Sequence, residues 1–387
     1  MRSRYRWAVL GAGTGAQAAF AAFLVGTPVL APALRDAYGL TLGEVGLVLT
    51  SVWVGATVTL LPWGLLADRA GERFVLASGL AIAGVAAVGA AFAPALWALV
   101  VALVVGGAAG VSVNSASGRA VMQWFEEEER GLAFGLRQTA IPLGGVAAAL
   151  ALPAAEGRGG LEGAFLLLAA LCFAGALAGG VVLRDPNREP VEAPVAASSM
   201  RDRRLWLLAL GGGLYVFAQV ALTGFLVLFL HDERGFSTGA AAAALAVVNV
   251  LGAALRVAAG AWSDRARARL APLKAIGIAV VGALVATALL LPAPIVVAVP
   301  VLVAASALSM AWNGLAFTAA VELAGRARSG AAIGFQQTAL SLFGIVAPVA
   351  FATLVERTSW RMAFALLALS PLAGWLVLRP LPEPRTR

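Results

Sequence analysis

A chain of 387 residues that is 61% hydrophobic and only 12% charged is no ordinary soluble domain, where apolar residues make up about half and charged residues about a quarter. Its net charge of +8 comes from bases clustered between apolar runs, not from a basic face interleaved with aromatics, which sets nucleic acid aside. One Cys and one His cannot build a metal cluster or a disulfide framework, and no nucleophile with an acid–base partner is visible, so no metal, cofactor or enzymatic reaction is expected.

Apolar runs long enough to cross a hydrocarbon core of ~30 Å at ~1.5 Å per residue fall near 8–33, 43–66, 74–93, 96–121, 131–153 and 163–183. A second set falls near 205–230, 238–262, 271–291, 295–320, 329–353 and 360–378. Twelve spans are therefore expected, in an all-α membrane protein. Between the sixth and seventh, residues 184–204 read RDPNREPVEAPVAASSMRDRR, whose proline, serine and charge suit a solvated linker. The predicted organisation is a six-helix half over 1–183, a cytoplasmic linker over 184–204 and a second half over 205–387. With both termini inside, most of the 28 Lys and Arg lie on the cytoplasmic side, which predicts a multi-pass protein of the inner (plasma) membrane. The first span follows Arg2, Arg4 and Arg6, is too long for a signal-peptide core and is expected to stay.

The two halves repeat one another. GLLADRAGER at 64–73 is echoed by GAWSDRARAR at 260–269, GLAFGLRQTA at 131–140 by GAAIGFQQTA at 330–339, and Asn114 by Asn313. Such duplication is common in transporters, whose substrate sites lie near the bilayer midplane between repeats. In GLLADRAGER the charges of Asp68, Arg69 and Arg73 must sit between two membrane helices, with Gly64 and Gly71 allowing close approach and a tight turn. This stretch resembles the loop 2–3 signature of the major facilitator superfamily, Gly-x-x-x-Asp-Arg/Lys-x-Gly-Arg/Lys-Arg/Lys, with Glu72 departing from the pattern. The resemblance implies two pseudo-symmetric six-helix halves, alternating access, and a gating role for Gly64, Asp68, Arg69, Gly71 and Arg73 and for Asp264 and Arg265 in the second copy.

Two arginines lie inside apolar spans, where translocon scales put the cost of a guanidinium at ~2.5–3.5 kcal/mol. Arg137 lies seven residues after Arg130, about 10 Å along a helix, and Arg256 eight residues before Asp264, about 12 Å in. Neither is duplicated, since Arg137 aligns with Gln336 and Arg256 with Leu60. No mid-helix carboxylate is available to neutralise them, which leaves carbonyls, water or a bound anion as partners, unless the side chains snorkel to the cytoplasmic edge. The pattern Asn249-x-x-Gly252-x-x-x-Arg256-x-x-x-Gly260 is similar to the eighth helix of the superfamily's oxalate:formate, monocarboxylate and nitrate carriers, and GLRQTAIPLGG at 135–145 resembles the fifth helix of anion and cyanate-type permeases. The resemblance implies that Arg256 holds a substrate anion and that Arg137 reaches the same cavity.

Gln17, Gln219, Asn249 and Gln336 are polar residues inside spans and candidates to line that cavity, with Tyr215 and Trp312 placed to close it, although buried amides and aromatics equally serve packing. The paired Asn114 and Asn313 look more structural. The expected function is a secondary or facilitative transporter of a small organic or inorganic anion, acting as a monomer in the lipid bilayer without nucleic acid. A proton-coupled drug or metabolite exporter and a membrane receptor are the alternatives.

Overall fold

The computed structural model describes residues 2–125, 133, 136–184, 202–324 and 329–383. Among these the regular structure is entirely helical. The first part of the chain forms α1 (Arg2–Val29), α2 (Ala31–Tyr38), α3 (Leu42–Ala70), α4 (Glu72–Ala91), α5 (Leu96–Gly110), α6 (Ser112–Trp124) and α7 (Ala140–Val182). There follow α8 (Arg203–Asp232), α9 (Thr238–Ala266), α10 (Leu270–Leu290), α11 (Ile295–Leu308), α12 (Asn313–Ala324), α13 (Ser329–Arg357), α14 (Trp360–Leu367) and α15 (Leu369–Leu378).

Eleven helices among the described residues are long and apolar enough to cross a membrane. The longest contains two. Gly159 and Gly160 leave helical geometry inside it, Gly160 with φ of 60°, so α7 is a pair of helices joined at this point. The twelve spans expected from hydropathy are thereby accounted for, and the fifth and sixth meet without the loop that the sequence suggested between 153 and 163. The helix starts follow familiar chemistry. Thr41 and Glu44 form a reciprocal capping box at the head of α3, Glu44 N–H to Thr41 Oγ1 at 3.2 Å and Thr41 N–H to Glu44 Oε2 at 2.9 Å. Ser359 caps α14 through the Met362 amide at 3.2 Å. Large apolar side chains such as Val58, Leu61, Trp97, Leu177, Val257 and Val296 remain exposed, as lipid-facing residues do.

The contacts divide the chain into two compact units, Met1–Pro190 with Leu226–Ala246, and Val191–Phe225 with Val247–Arg387. In the first, α1 and α4 pack on α7, and α3 packs on α5. The α3–α5 crossing is close enough to exclude side chains: a Cβ on Gly55 would stand 1.9 Å from the Val104 carbonyl oxygen, and one on Gly107 would stand 2.1 Å from that of Val52. Small residues let membrane helices gain dispersion contacts that lipid would otherwise supply. The segment Leu226–Ala246, made of the end of α8, the start of α9 and the turn between them, adds an ion pair to this unit, between Arg35 and Asp232. In the second unit α10 packs on α11, α14 and α15, and Phe225, Phe351, Trp360 and Phe364 form a tilted aromatic stack with ring centroids 5.4 to 6.3 Å apart.

Candidate functional site

Among the described residues, each unit has a span that is interrupted just ahead of an asparagine, and an arginine side chain reaches each of these two interruptions. The fourth span breaks at Val111, between α5 and α6, and the tenth at Ser309–Trp312, between α11 and α12. Through the second break the amides of Met310 and Ala311 bond three residues back, to Ala307 and Leu308, at 3.1 and 3.0 Å. An uninterrupted helix would engage the Met310 carbonyl with the amide four residues on. Here that carbonyl accepts from side chains.

In the second unit Arg256, on α9, donates from Nε to the Met310 carbonyl at 2.9 Å. Asn313 Nδ2 donates to the same oxygen at 3.3 Å and to Gln219 Oε1, on α8, at 3.1 Å. The bond to Met310 is the one hydrogen bond that Arg256 makes among the described residues, so both Nη atoms are unengaged there. The side chain is only part-buried, and every Asp and Glu in a described span of this unit lies at a span's end. Asn249 is buried on the same helix as Arg256, at 3% exposure.

The first unit is tied differently. Arg137, in a helical stretch just ahead of α7, donates from Nε to Ser117 Oγ at 2.8 Å and from Nη2 to the Asn114 carbonyl at 3.0 Å. Gln17 Nε2, on α1, donates to Asn114 Oδ1 at 3.1 Å, and Ser117 Oγ lies 3.5 Å from Gln17 Oε1. The guanidinium is buried, at 8% exposure, beside a small cavity lined by Gly13, Thr14, Ala120 and Phe125. The broken span is further held where Thr59 and Trp63 both donate to the Ala108 carbonyl at 2.6 Å.

Three other candidates lie elsewhere within the second unit. Gln336, on α13, is 1% exposed, and its Nε2 stands 3.5 Å from the Leu208 carbonyl, facing α8 where Gly212 leaves it room. Tyr215 and Trp312 stand edge to face, centroids 5.9 Å apart, along a narrow void with Ile276, Gly277, Val280 and Pro371. Tyr215 Oη and Trp312 Nε1 are buried with no hydrogen-bond partner among the described residues. Arg256 does not line that void.

The paired loops differ in construction. In the first unit α3 carries Gly64, Asp68 and Arg69, and Gly71, with φ 89° and ψ 161°, turns the chain into α4. That backbone region is open almost only to glycine. Arg69 and Arg73 are exposed, whereas Glu72 is buried at 4% in the first turn of α4, where the positive end of the helix dipole favours a carboxylate. In the second unit Arg267 occupies the place of Gly71 and adopts φ of 48°. Asp264 and Arg265 are exposed at the end of α9, and Asp264 accepts from Arg269 Nη1 at 2.5 Å. Arg269 also donates to Glu322 at 2.8 Å and to Ser263 at 2.9 Å. Burial pulls the Arg269 guanidinium toward the neutral form, but the two carboxylates outweigh it and its pKa lies above the ordinary arginine value.

The residues Ser117, Met310, Arg269 and Glu322 were not singled out from the sequence. Met310 and Asn114 serve through main-chain oxygens, which leave no residue-type signal. Arg269 and Glu322 do carry charge, but far apart in the chain.

Residues 13–348 match the family model of the Major Facilitator Superfamily. The chain is 34% identical over 373 residues to an uncharacterised MFS-type transporter of Mycobacterium tuberculosis, covering 95% of this chain and 84% of that protein. It is 28% identical to a probable sulfoacetate transporter of Cupriavidus necator, covering 92% and 90%. Among solved structures, a bacterial homologue of the human lysosomal transporter Spinster, inward-facing and unoccupied, superimposes with a TM-score of 0.80 at 18% identity over 97% of this chain and 95% of that one. A D-xylose–proton symporter gives 0.79 at 17% identity over 98% and 99%.

Proposed function

The chain belongs to the Major Facilitator Superfamily and is a membrane transporter, not an enzyme, and we propose that its cargo is a small organic anion held by Arg256. The observation that carries this reading is a guanidinium inside an apolar span whose Nε is fixed by a main-chain carbonyl while both Nη atoms are unengaged among the described residues. An arginine so placed presents the two parallel N–H groups that grip a carboxylate or sulfonate. The anion would supply the charge partner that the span lacks. The Cupriavidus necator relative, a probable sulfoacetate transporter, supports an anionic cargo and places sulfonates beside carboxylates as candidates.

In this reading Arg137 is a positioning group in the first half, bound to Ser117 and the Asn114 carbonyl, and Asn249 is buried on the helix that carries Arg256. Gly64, Asp68, Arg69, Gly71 and Arg73, with Asp264 and Arg265, act in interconversion rather than in binding, because all but Gly64 lie at or beside helix ends. Both termini face the cytoplasm of the inner membrane, in keeping with the distribution of bases.

The test is a thermal-shift screen of the purified protein against small carboxylates, sulfoacetate and other sulfonates, nitrate, neutral sugars and cationic dyes, followed by flux of the best ligand into liposomes. Stabilisation by an anion, with uptake that Arg256→Ala abolishes, is the expected result. Stabilisation confined to sugars or cations would overturn the anion reading, and binding without flux would overturn transport of that ligand.

A further inference from the structure

The break in the tenth span also fixes the direction of an amide that no charge would orient. A carbonyl oxygen can only accept, so Asn313, lying 3.3 Å from that of Met310, must turn Nδ2 toward it. The same Nδ2 lies 3.1 Å from Gln219, which must therefore offer Oε1. The Gln219 NH2 is then directed away from Asn313. It makes no hydrogen bond among the described residues and is not sealed from solvent-accessible space, the side chain being only part-buried. The helix of Gln219 is steadied locally, since Thr223 Oγ1 donates to the Gln219 carbonyl at 2.8 Å.

The repeat supplies the control. Gln17, the glutamine of the first unit, faces Asn114 as Gln219 faces Asn313, but its Nε2 is spent on Asn114 Oδ1. Its Oε1 lies 3.5 Å from the hydroxyl to which Arg137 is bonded. One glutamine closes its network, and the other leaves a donor open one hydrogen-bonded neighbour away from the carbonyl that holds Arg256.

Resting on the reading of Arg256 as the anion ligand, we infer that Gln219 is a specificity-determining residue and that the cargo carries two polar groups. A carboxylate or sulfonate sits on the Nη edge of Arg256, and a second acceptor oxygen, from a hydroxyl, carbonyl or further acid group, takes the Gln219 NH2. An anion with one polar group would leave that donor unpaired on desolvation, which penalises it relative to a two-group anion.

The purified full-length protein is titrated with acetate and methanesulfonate as one-group anions and with glycolate and malonate as two-group anions, in wild type, Gln219→Met, Gln219→Ala and Arg256→Gln. Gln219→Met keeps the length of the side chain and guards against a packing effect. Both Gln219 variants are expected to weaken the two-group anions ~10-fold while leaving the one-group anions within about twofold, so that the preference between classes collapses. Equal losses for both classes, or no loss for either, would overturn the role of Gln219. The Arg256→Gln arm keeps the two readings apart. If it removes binding of both classes while Gln219→Met is not selective, only the inference on Gln219 falls; if it leaves both classes bound at wild-type strength, the anion reading falls and this one with it.

Discussion

The first unit and the second share an interrupted helix, an asparagine beside the break and a glutamine facing it, yet they use these parts in opposite ways. In the first, Arg137, Ser117, Gln17 and Asn114 bond one another, and the guanidinium is buried within its own unit. In the second, Arg256 makes one bond, to a carbonyl that Asn313 already shares, and both its Nη atoms and the Gln219 amide nitrogen have no partner among the described residues. The two scaffolds match in these parts, and the position of the arginine, ahead of α7 in one and on α9 in the other, separates a scaffold whose guanidinium is tied at Nε and Nη2 from one whose guanidinium is tied at Nε alone among the described residues. An arginine in a membrane span is thus not by itself a binding group. What matters is how many of its donors the protein has already engaged.

The two units are expected to differ most in how much stability each arginine supplies. Arg137→Ala should cost ~2–4 kcal/mol, because it strips bonds from a buried hydroxyl and a carbonyl together, whereas Arg256→Ala should cost only ~1 kcal/mol, since Met310 keeps Asn313. Thermal unfolding of the ligand-free variants in one detergent checks the order; equal shifts would contradict the closed and open descriptions. The loops at 64–73 and 260–269 extend the contrast. Gly71→Ala forces a side chain into φ 89° and should destabilise by ~1–3 kcal/mol, measured in the same assay. Its counterpart runs the other way: Arg267→Gly relieves a left-handed φ of 48° and should stabilise by ~1 kcal/mol, with Arg267→Ala giving no such gain. A loss on Arg267→Gly would show that the arginine side chain outweighs its backbone strain.

Much of the fold was legible because the bilayer imposes it. Apolar runs of sufficient length, the Gly and Asp-Arg pair repeated at 64–73 and 260–269, and paired Asn114 and Asn313 led to twelve spans in a duplicated chain. The join of the fifth and sixth spans at Gly159–Gly160 was less visible, because the charges around it, Glu156, Arg158 and Glu162, read as the ends of separate helices. In the candidate site, the chemistry of Arg137 and Arg256 could be read from burial cost, and a carbonyl was among the partners that the absence of mid-helix carboxylates left open. Which carbonyls could not be read. No proline marks the breaks at Val111 and Ser309–Trp312, so the Met310 oxygen that accepts from side chains has no signature in the residues. Glu72 looked like a departure from the loop signature, and its burial at the start of α4 explains why a carboxylate suits that place.

The most direct test is a titration of wild type, Arg256→Lys, Arg256→Ala and Arg137→Gln with the anion that gives the largest thermal stabilisation. Losing a buried, charge-assisted contact costs ~2–5 kcal/mol, so Arg256→Ala should weaken binding by a factor of roughly 30 to several thousand. Arg256→Lys keeps the charge but loses the fork and should fall between. Arg137→Gln should be less stable yet bind within about threefold of wild type. Folded Arg256→Ala protein that binds the anion within about threefold of wild type, a difference of only ~0.7 kcal/mol, would contradict the assignment of Arg256 as the anion ligand.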